Sequence, residues 1–397
     1  MNTPHEPRRR EVLLAALAML GGCGGGVDSG GTGTGAASTY ASGPILGFGS
    51  IIVNGVRFDD TRAYIEDDNG GLLSRADLAL GMRTEIIASA VTTVGGVSSA
   101  TASSIRVQRE IIGPVDRVDA AASQLVVLGQ TVAVVATTVF DSSIVNGLGS
   151  LVQGDVLEIF AALDLAAGRY VASRIGRRPG VSAYLLLGAV ASLSLAAKTL
   201  TIGQLTIDWS AVAPSDPATA LAPGNLLRVK LATAPLPGAW RATALSSGRP
   251  MPEDRDRAEV EGRITAFTSA TAFALNGLPV DASGASFPGG SAALALGVKV
   301  EVSGSVRNGV LLASRVELED EDDGGATGAF ELHGAIESVD AAASRFVVRG
   351  ETVAWDGTTR FESGTAADVK VGRTVEVKGR LSANGLLIEA ASIHFES

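Results

Sequence analysis

The sequence has few of the residue types on which most enzymes and metal sites depend. Its 397 residues include one cysteine, three histidines and only 5% aromatic residues. A single cysteine excludes a disulfide within the chain, and so few histidines disfavour histidine-based acid–base catalysis and His-rich metal sites. Acidic side chains outnumber basic ones by 42 to 32. This balance disfavours nucleic acid and anionic lipid headgroups as partners.

The single cysteine, Cys23, stands directly after a segment that is typical of an export signal. Three arginines precede an apolar run over residues 12–20, and small residues follow it, in the order of a signal peptide. A transmembrane helix needs about 20 apolar residues, so this run is too short to be one. The sequence Leu20-Gly21-Gly22-Cys23 resembles the lipobox of bacterial lipoproteins, which implies cleavage before Cys23 and lipidation of its sulfur. The alternative is an ordinary secretory signal followed by a chance cysteine.

The same segment bears on the export route and on the location of the protein. Arg9-Arg10 resembles a twin-arginine export signal, and a general secretory signal with three arginines is the alternative. Gly24, rather than an aspartate, follows the cysteine, which favours the outer membrane, facing the periplasm or the cell surface. We therefore predict a lipoprotein signal peptide over residues 1–22 and a lipidated, Gly/Ser/Thr-rich tether over residues 23–42.

Three kinds of position recur with a common period in the rest of the chain. The first is a glycine inside an apolar stretch, with spacings of 74, 74, 74 and 73: Gly55, Gly129, Gly203, Gly277 and Gly350. The second is a glycine before a strand-like run: Gly81, Gly154, Gly224, Gly297 and Gly372. The third is an alanine in the last strand-like run: Ala102, Ala172, Ala242, Ala313 and Ala390. A shared period at three positions indicates five copies of one unit.

Each unit has the pattern of a small β-barrel. Short runs of Val, Ile and Leu alternate with polar residues and are separated by Gly and Asp, which predicts strands rather than helices. Three strands, a short helix-like piece and two further strands form the element order of an OB-type barrel. The sequence therefore predicts an all-β fold of five tandem OB-like barrels of about 65–75 residues each. Such small units have marginal cores, so neighbouring barrels are expected to pack, as in a short array.

The recurring positions also set the predicted boundaries of the units. Repeat 1 covers residues 43–109, repeat 2 covers 110–178, repeat 3 covers 179–248, repeat 4 covers 249–319 and repeat 5 covers 330–397. Residues 320–329 are an acidic, glycine-containing linker. The third repeat is the most degenerate, because prolines crowd its connections.

The motifs within a unit resemble a known family. Gly-x-Ile-x-x-Val, a Gly-x-Thr-Val turn, Val-Glu-Val-x-Gly and Leu-x-Ala-Ser-x-Ile succeed one another, and this pattern is similar to the domain of unknown function family 5666. That family occurs in tandem in bacterial envelope lipoproteins. The second, fourth and fifth units match the pattern well, and the first and third match it loosely. The resemblance implies an architecture and a location, and it brings no known activity.

A carboxylate recurs four positions after the second marker glycine in four of the units. These residues are Glu85, Glu158, Glu301 and Glu376, and the third unit has Arg228 at this place. Such a carboxylate is either a ligand or catalytic group, or an outward-facing residue that pairs across strands. We favour the second interpretation, with basic partners such as Arg174 or Arg315.

Alternation with valines gives this interpretation a testable form. Glu301 lies between Val300 and Val302, so the valines should be buried and the glutamate should face outward near a basic side chain. In the second unit, Val156 and Ile159 should likewise be buried, with Glu158 outside.

Two acidic clusters are candidate calcium sites, because Ca²⁺ prefers oxygen ligands. One is the run over residues 319–323, and the other includes Asp59, Asp60, Glu66, Asp67, Asp68 and Asn69. Neither has the spacing of a calcium-binding loop, and charge runs of this kind are usually solvated. We therefore predict no metal site and no cofactor.

Three classes of function remain open. We favour a non-enzymatic envelope lipoprotein whose barrels form a scaffold or a protein-binding array, with another envelope protein or a wall polymer as partner. The alternative is a glycan- or peptidoglycan-binding module in which Trp209, Trp240 and Trp355 stack on sugars, although tryptophans in such positions usually pack in a core. A hydrolase that uses carboxylates is the third class, and it would require one unit with clustered buried carboxylates.

Overall fold

The computed structural model of the chain describes residues 38–212, 221–248, 252–319 and 329–396. In these ranges the secondary structure is almost entirely β, which confirms the predicted fold class. Single-turn 3-10 helices lie at Arg75–Asp77, Gly147–Ser150 and Ala366–Asp368, each before the fourth barrel strand of its unit. Nowhere in the described ranges is a helix long and apolar enough to cross a membrane.

The strands of the first three units lie between Ser38 and Ser247. The first unit contains β1 (Ser38–Pro44), β2 (Ile51–Val53), β3 (Val56–Asp59), β4 (Tyr64–Asp67), β5 (Arg83–Ser89), β6 (Thr92–Val94) and β7 (Val97–Gln108). The second contains β8 (Ile111–Asp119), β9 (Gln124–Val127), β10 (Gln130–Phe140), β11 (Val156–Asp164) and β12 (Arg169–Arg177). The third contains β13 (Tyr184–Ser194), β14 (Thr199–Ile202), β15 (Leu205–Asp208), β16 (Leu226–Leu231) and β17 (Trp240–Ser247).

The last two units complete the series. The fourth contains β18 (Arg255–Ser269), β19 (Ala272–Leu275), β20 (Leu278–Asp281), β21 (Lys299–Arg307) and β22 (Val310–Leu318). The fifth contains β23 (Ala329–Asp340), β24 (Arg345–Val348), β25 (Glu351–Ala354), β26 (Arg360–Glu362), β27 (Thr374–Leu381) and β28 (Ile388–Phe395).

Strand pairing closes these units into five-stranded barrels. In the second unit the order is β8-β9-β10-β12-β11, and β11 pairs again with β8. The third, fourth and fifth units repeat this order and also return to their first strand. The third and fifth barrel strands pair in parallel, as β10 and β12 do, whereas the other pairs are antiparallel. Closure leaves few free strand edges, and the order confirms the predicted OB-like barrels.

The first barrel closes differently because its first strand is shared with another unit. Instead of a ladder between β1 and β2, a single bridge joins Gly47 to Ile52. β1 pairs antiparallel with β5 and parallel with β18 of the fourth unit. Thr39 and Ala41 are fully buried in this seam. The first unit thus begins at Ser38, so the last five residues assigned to the tether belong to the fold.

The recurring alanine marks a β-bulge between the fourth and fifth barrel strands. In the second unit Phe160 pairs with Arg174 and Ala161 pairs with Ala172, which leaves Ser173 as the extra residue. The Ser173 hydroxyl donates to the Phe160 carbonyl at 3.1 Å. The register shifts in the same way beside Ala102, Ala242, Ala313 and Ala390. A bulge sharpens the twist of a strand, so this position helps to close each small barrel.

The barrels pack in an order that differs from their order in the chain. Residues Ala36–Ser397 form one compact unit. The first barrel shares a sheet with the fourth through β1 and β18, and the second shares a sheet with the third through β8 and β13. The first and fifth barrels share a hydrophobic core that contains Phe58 and Phe346. The expected packing between barrels is present, but it forms a cluster rather than a one-dimensional array.

Candidate functional site: a charged cleft between four barrels

A cleft with a volume of about 890 Å³ is lined by residues from the first four units. Its floor is the outer face of β1, β5 and β7 in the first barrel. Alternate residues of a strand point to opposite faces, so Ile86 and Ile105 lie in the barrel core while Glu85 and Arg106 face the cleft. The side walls come from β11, β13 and β16 and from the start of β18. This volume is within the range of small-ligand pockets.

A row of polar side chains crosses the floor from strand to strand. Ser42 lies opposite Glu85, Glu85 lies opposite Arg106, and Arg106 lies opposite Glu66. The Arg106 guanidinium bonds Glu66 at 2.7 Å and approaches Glu85 at 3.9 Å. The Arg106 side chain is 54% exposed. Tyr40 donates its hydroxyl to Glu85 at 3.1 Å, and burial, followed by the Glu85 charge, raises the pKa of Tyr40.

The connection between the first and second barrels forms a buried ionic joint at the cleft. Arg109 bonds Asp68 and Glu158 at 3.0 Å each. Arg228 of the third unit bonds Asp68 at 2.7 Å and donates to the Arg109 carbonyl at 3.1 Å. Burial acts to lower the pKa of Arg109, but the charges of Asp68 and Glu158 raise it above the ordinary value. Three barrels are thus joined through one set of charges.

Glu110, the next residue, is a buried carboxyl at the edge of the same cleft. One carboxyl oxygen accepts a hydrogen bond from the Ala161 amide at 2.8 Å, and the other lies 3.6 Å from Arg83 Nε. Burial raises the pKa of Glu110 to about 7, because it outweighs the opposing effects of Arg83 and the Ala161 amide. Perturbed carboxyls in clefts are candidates for function. Glu110 shares its site with an arginine, and the part of the cleft lining that the structure describes contains neither a histidine nor a cysteine.

The sequence analysis missed Arg109 and Glu110, whereas it named Asp68 in an acidic cluster, Glu158 as a repeated glutamate and Arg228 as a departure from the glutamate pattern. One signal for them was present in the sequence. Arg109 and Glu110 are charged residues placed directly before the apolar Ile111, at the point where one predicted barrel gives way to the next. In the structure this pair contacts other units, since Arg109 bonds Asp68 of the first unit.

Most details predicted for the repeated glutamates are confirmed. Ile159, Val300 and Val302 are fully buried. Glu158 bonds Arg109 at 3.0 Å and lies 3.6 Å from Arg178. Val156 is only half-buried, so the prediction for that residue is wrong.

The proposed partners Arg174 and Arg315 are wrong for a reason of register. Arg174 lies opposite Phe160, and Arg315 lies opposite Ser303. The strand register places Gly176 opposite Glu158 and Glu317 opposite Glu301, so each arginine lies two positions away from the glutamate's direct partner. Arg174 instead bonds Glu351 of the fifth unit at 3.2 Å.

Glu301 has acidic rather than basic neighbours across its strand. Glu261 and Glu317 are its direct cross-strand partners. Burial raises the pKa of Glu301 to about 8, with further contributions from Glu259, Glu261 and other nearby glutamates. Like charges placed opposite each other destabilise a sheet, so Glu301 differs from the outward ion pair that was expected.

The structure brings together the two histidines of the fifth unit, which are distant in the sequence. His333 and His394 flank Glu376 on neighbouring strands. His333 lies 2.9 Å from Glu396, and His394 lies 3.6 Å from Glu362. Across the ranges that the structure describes, no group of three or more His, Cys, Asp or Glu residues is arranged to hold a metal ion.

Two of the three tryptophans pack in one hydrophobic core, and the third packs against another. Trp209 is 6% exposed and packs against the core shared by the second and third units, where Trp240 also packs in edge contact with Tyr184. Trp355 packs on Phe346 in the fifth unit. The structure does not bring these rings together in one groove.

The second acidic cluster is occupied by internal contacts. Asp60 accepts two hydrogen bonds from Arg75 at 2.9 Å, and Asp67 accepts from the amides of Asn69 and Gly71. Several predicted residues lie outside the described residues: Arg9, Arg10, Leu20, Gly21, Gly22, Cys23 and the acidic run from residue 320 onward.

The fold and the joint define a class of protein, a tandem array of closed five-stranded barrels fused into one body. Residues 112–176, 261–317 and 333–394 match the family described as domain of unknown function (DUF5666). The chain thus carries tandem repeats of the DUF5666 family, and the matched segments are the second, fourth and fifth units.

Comparison with other proteins adds little beyond the family. A search of curated proteins finds no match. The solved structure titled "drosophila Unr CSD456" is similar at 12% identity, over 58% of this chain and 100% of that chain, with a TM-score of 0.14. This score is too low to inform the fold or the function of the chain.

Proposed function

We propose that this chain is a non-enzymatic binding protein of the bacterial cell envelope, anchored through a lipid on Cys23. The five barrels serve as one rigid body that holds a partner in the cleft between the first four units. The observation that carries this proposal is the cleft itself, whose volume is about 890 Å³. Four units must pack together to form it, and a buried ionic joint fixes three of them.

The electrostatics of the cleft support binding rather than catalysis. General acid–base chemistry needs a group that reaches the substrate with a pKa near the working pH. Glu110 has such a pKa, but it is 4% exposed and is engaged by the Ala161 amide and by Arg83. Asp68 and Glu158 are bonded to arginines. Carboxylates neutralised in this way hold barrels together.

The positions of the aromatic residues favour a protein partner over a glycan. Sugar rings and bases are held on exposed aromatic faces. Among the described residues that line the cleft, the one aromatic side chain is Tyr40, which is 2% exposed. No second function is proposed, because no contact in the described residues favours it.

The binding role can be tested by photo-crosslinking in cells. A photo-reactive amino acid at Ser104, on the cleft floor, should give a specific crosslinked product, whereas the same residue at the exposed Leu195 of the third unit should not. Mass spectrometry would identify the captured protein or wall fragment. Equal products from both positions, or none from Ser104, would contradict a role for the cleft.

The absence of catalysis needs a separate test. The mature chain should show no turnover of esterase, glycosidase, peptidase or phosphatase substrates, with or without Ca²⁺ and Zn²⁺. Turnover that disappears in Glu110→Gln or in a variant of His333 would overturn the non-enzymatic part of the proposal.

A further inference from the structure

We propose that the cleft takes a short extended peptide segment that carries both ammonium and carboxylate groups. This inference rests on the proposed binding function and names the chemistry of its partner. It is carried by the polar row on the floor, in which Glu85 and Glu66 lie on either side of Arg106.

The cleft contains both positive and negative side chains, which favours a ligand that carries both negative and positive groups. Among the residues that the structure describes, six carboxylates and four arginines line the cleft. A ligand that is only anionic meets the carboxylates, and one that is only cationic meets the arginines, so either would place like charges together. A peptide with both signs, and with a slight excess of positive charge, can match the lining.

The length of the floor row matches a few extended residues. The row crosses the four strands β1, β5, β7 and β4. Adjacent strands are about 4.8 Å apart, so the row spans about 14 Å. An extended chain advances about 3.4 Å per residue, and a segment of about four residues therefore covers it.

The floor charges differ in how readily they can exchange partners. Arg83 and Glu110, at the deep end, are 8% and 4% exposed and belong to the body of the protein. Arg106 is 54% exposed, and its contact with Glu85 is long at 3.9 Å. A contact of this length to an exposed guanidinium is weak. A ligand carboxylate can therefore bind the Arg106 guanidinium through two parallel hydrogen bonds, while a ligand ammonium group binds Glu85.

The test uses the mature chain with Cys23→Ser and isothermal titration calorimetry. The probe is the tetrapeptide Lys-Ala-Glu-Ala with free termini. The comparison ligands are acetyl-tetraalanine amide, which lacks charges, and chitotetraose, which is a neutral sugar chain. We expect binding of the charged peptide only, with at least tenfold weaker binding in 0.5 M salt, because salt screens exposed charges.

Variants locate the binding site and provide the matched control. Arg106→Gln and Glu85→Gln should each weaken peptide binding at least tenfold. Arg315→Gln should leave it unchanged, because Arg315 is 47% exposed and bonds Glu317 at 2.7 Å in the same way, but lies outside the cleft lining. Circular dichroism melting curves that match the parent protein would show that all three variants are folded.

The outcomes separate this inference from the proposed function. Absence of peptide binding, equal weakening by Arg315→Gln, or Arg106-dependent binding of chitotetraose would overturn the peptide assignment. If the peptide fails while Ser104 still gives a specific crosslink in cells, the binding function stands and only the ligand class is wrong. If the peptide binds with the expected dependence on Arg106, the assignment is supported whatever the crosslinking result.

Discussion

Arg228 of the third barrel bonds Asp68 of the first barrel at 2.7 Å, across 160 positions of sequence. Arg228 occupies the place that a glutamate holds in the other four units. A glutamate there would meet the buried Asp68 carboxylate, whose side chain is 2% exposed. The arginine instead supplies a cation, which explains why this repeat departs from the pattern.

Loss of this contact should destabilise the whole body. Asp68→Ala leaves Arg109 and Arg228 buried without their shared partner, and removing one member of a buried pair typically costs about 3–5 kcal/mol. We expect the free energy of unfolding to fall by about 3 kcal/mol, because Glu158 still bonds Arg109. Urea unfolding would measure it, with Glu317→Ala, which removes an exposed pair, as the control. Equal losses in both variants would show that the joint has no special role.

The stability of the fourth barrel should depend on pH through Glu301. Its pKa is raised from 4.5 to about 8, so the folded state holds a proton that the unfolded state releases between these values. The stabilisation from this proton is fully present below pH 4.5 and is lost as the pH rises through 8. Glu301→Gln should therefore be more stable than the parent at pH 9 and should differ little at pH 4. Urea unfolding at pH 4, 7 and 9 tests this, and a variant that is weaker at pH 9 would contradict it.

Close backbone approach at the bulge predicts a strong effect of Gly304→Ala. A methyl group at Gly304 would lie 2.1 Å from the Leu312 carbonyl oxygen, and a backbone atom cannot move aside cheaply. We expect the free energy of unfolding to fall by about 1–3 kcal/mol, as is typical of overpacking. Gly284→Ala in the same barrel is the control, because a methyl group there has open space. Melting temperatures of the two variants give the comparison, and similar values would refute the steric explanation.

The start of the first barrel should tolerate truncation only up to Ser38. Removing residues 24–36 should leave the melting temperature unchanged. Removing residues 24–44 deletes β1, which separates the first barrel from the fourth and uncovers the edges of β5 and β18 that pair with it. The longer deletion should bind a hydrophobic dye and melt at a lower temperature. If it melts like the shorter one, β1 contributes nothing to the seam.

Membrane attachment should depend on Cys23. The lipobox resemblance predicts that the parent protein fractionates with membranes and that Cys23→Ser moves to the soluble envelope or extracellular fraction. Cell fractionation followed by immunoblotting measures this shift. Ser38→Ala, which leaves the cysteine in place, should behave as the parent does. Unchanged membrane attachment of Cys23→Ser would remove the basis for a lipid anchor.

The sequence by itself determined the barrels. The repeat period, the alternation of apolar and polar residues, and the glycines in turns are local signals. A barrel of about 70 residues is built from contacts within one repeat. Asn276 and Gly277, for example, both adopt positive φ at the hairpin, which is the turn geometry that an Asn-Gly pair predicts between two strands. The burial of Val300 and Val302 followed from the same local alternation.

Only the tertiary structure decided which barrels are neighbours and where the cleft lies. The seam between β1 and β18, and the contact between Arg228 and Asp68, join residues that no local pattern relates. A repeat gives each unit the same inner face, whereas contacts between units depend on single outer residues that differ from copy to copy. The partner of Arg174 was also hidden, because Glu351 belongs to another unit, 177 positions away in the sequence. The charges that meet in the cleft are therefore a property of the assembled body.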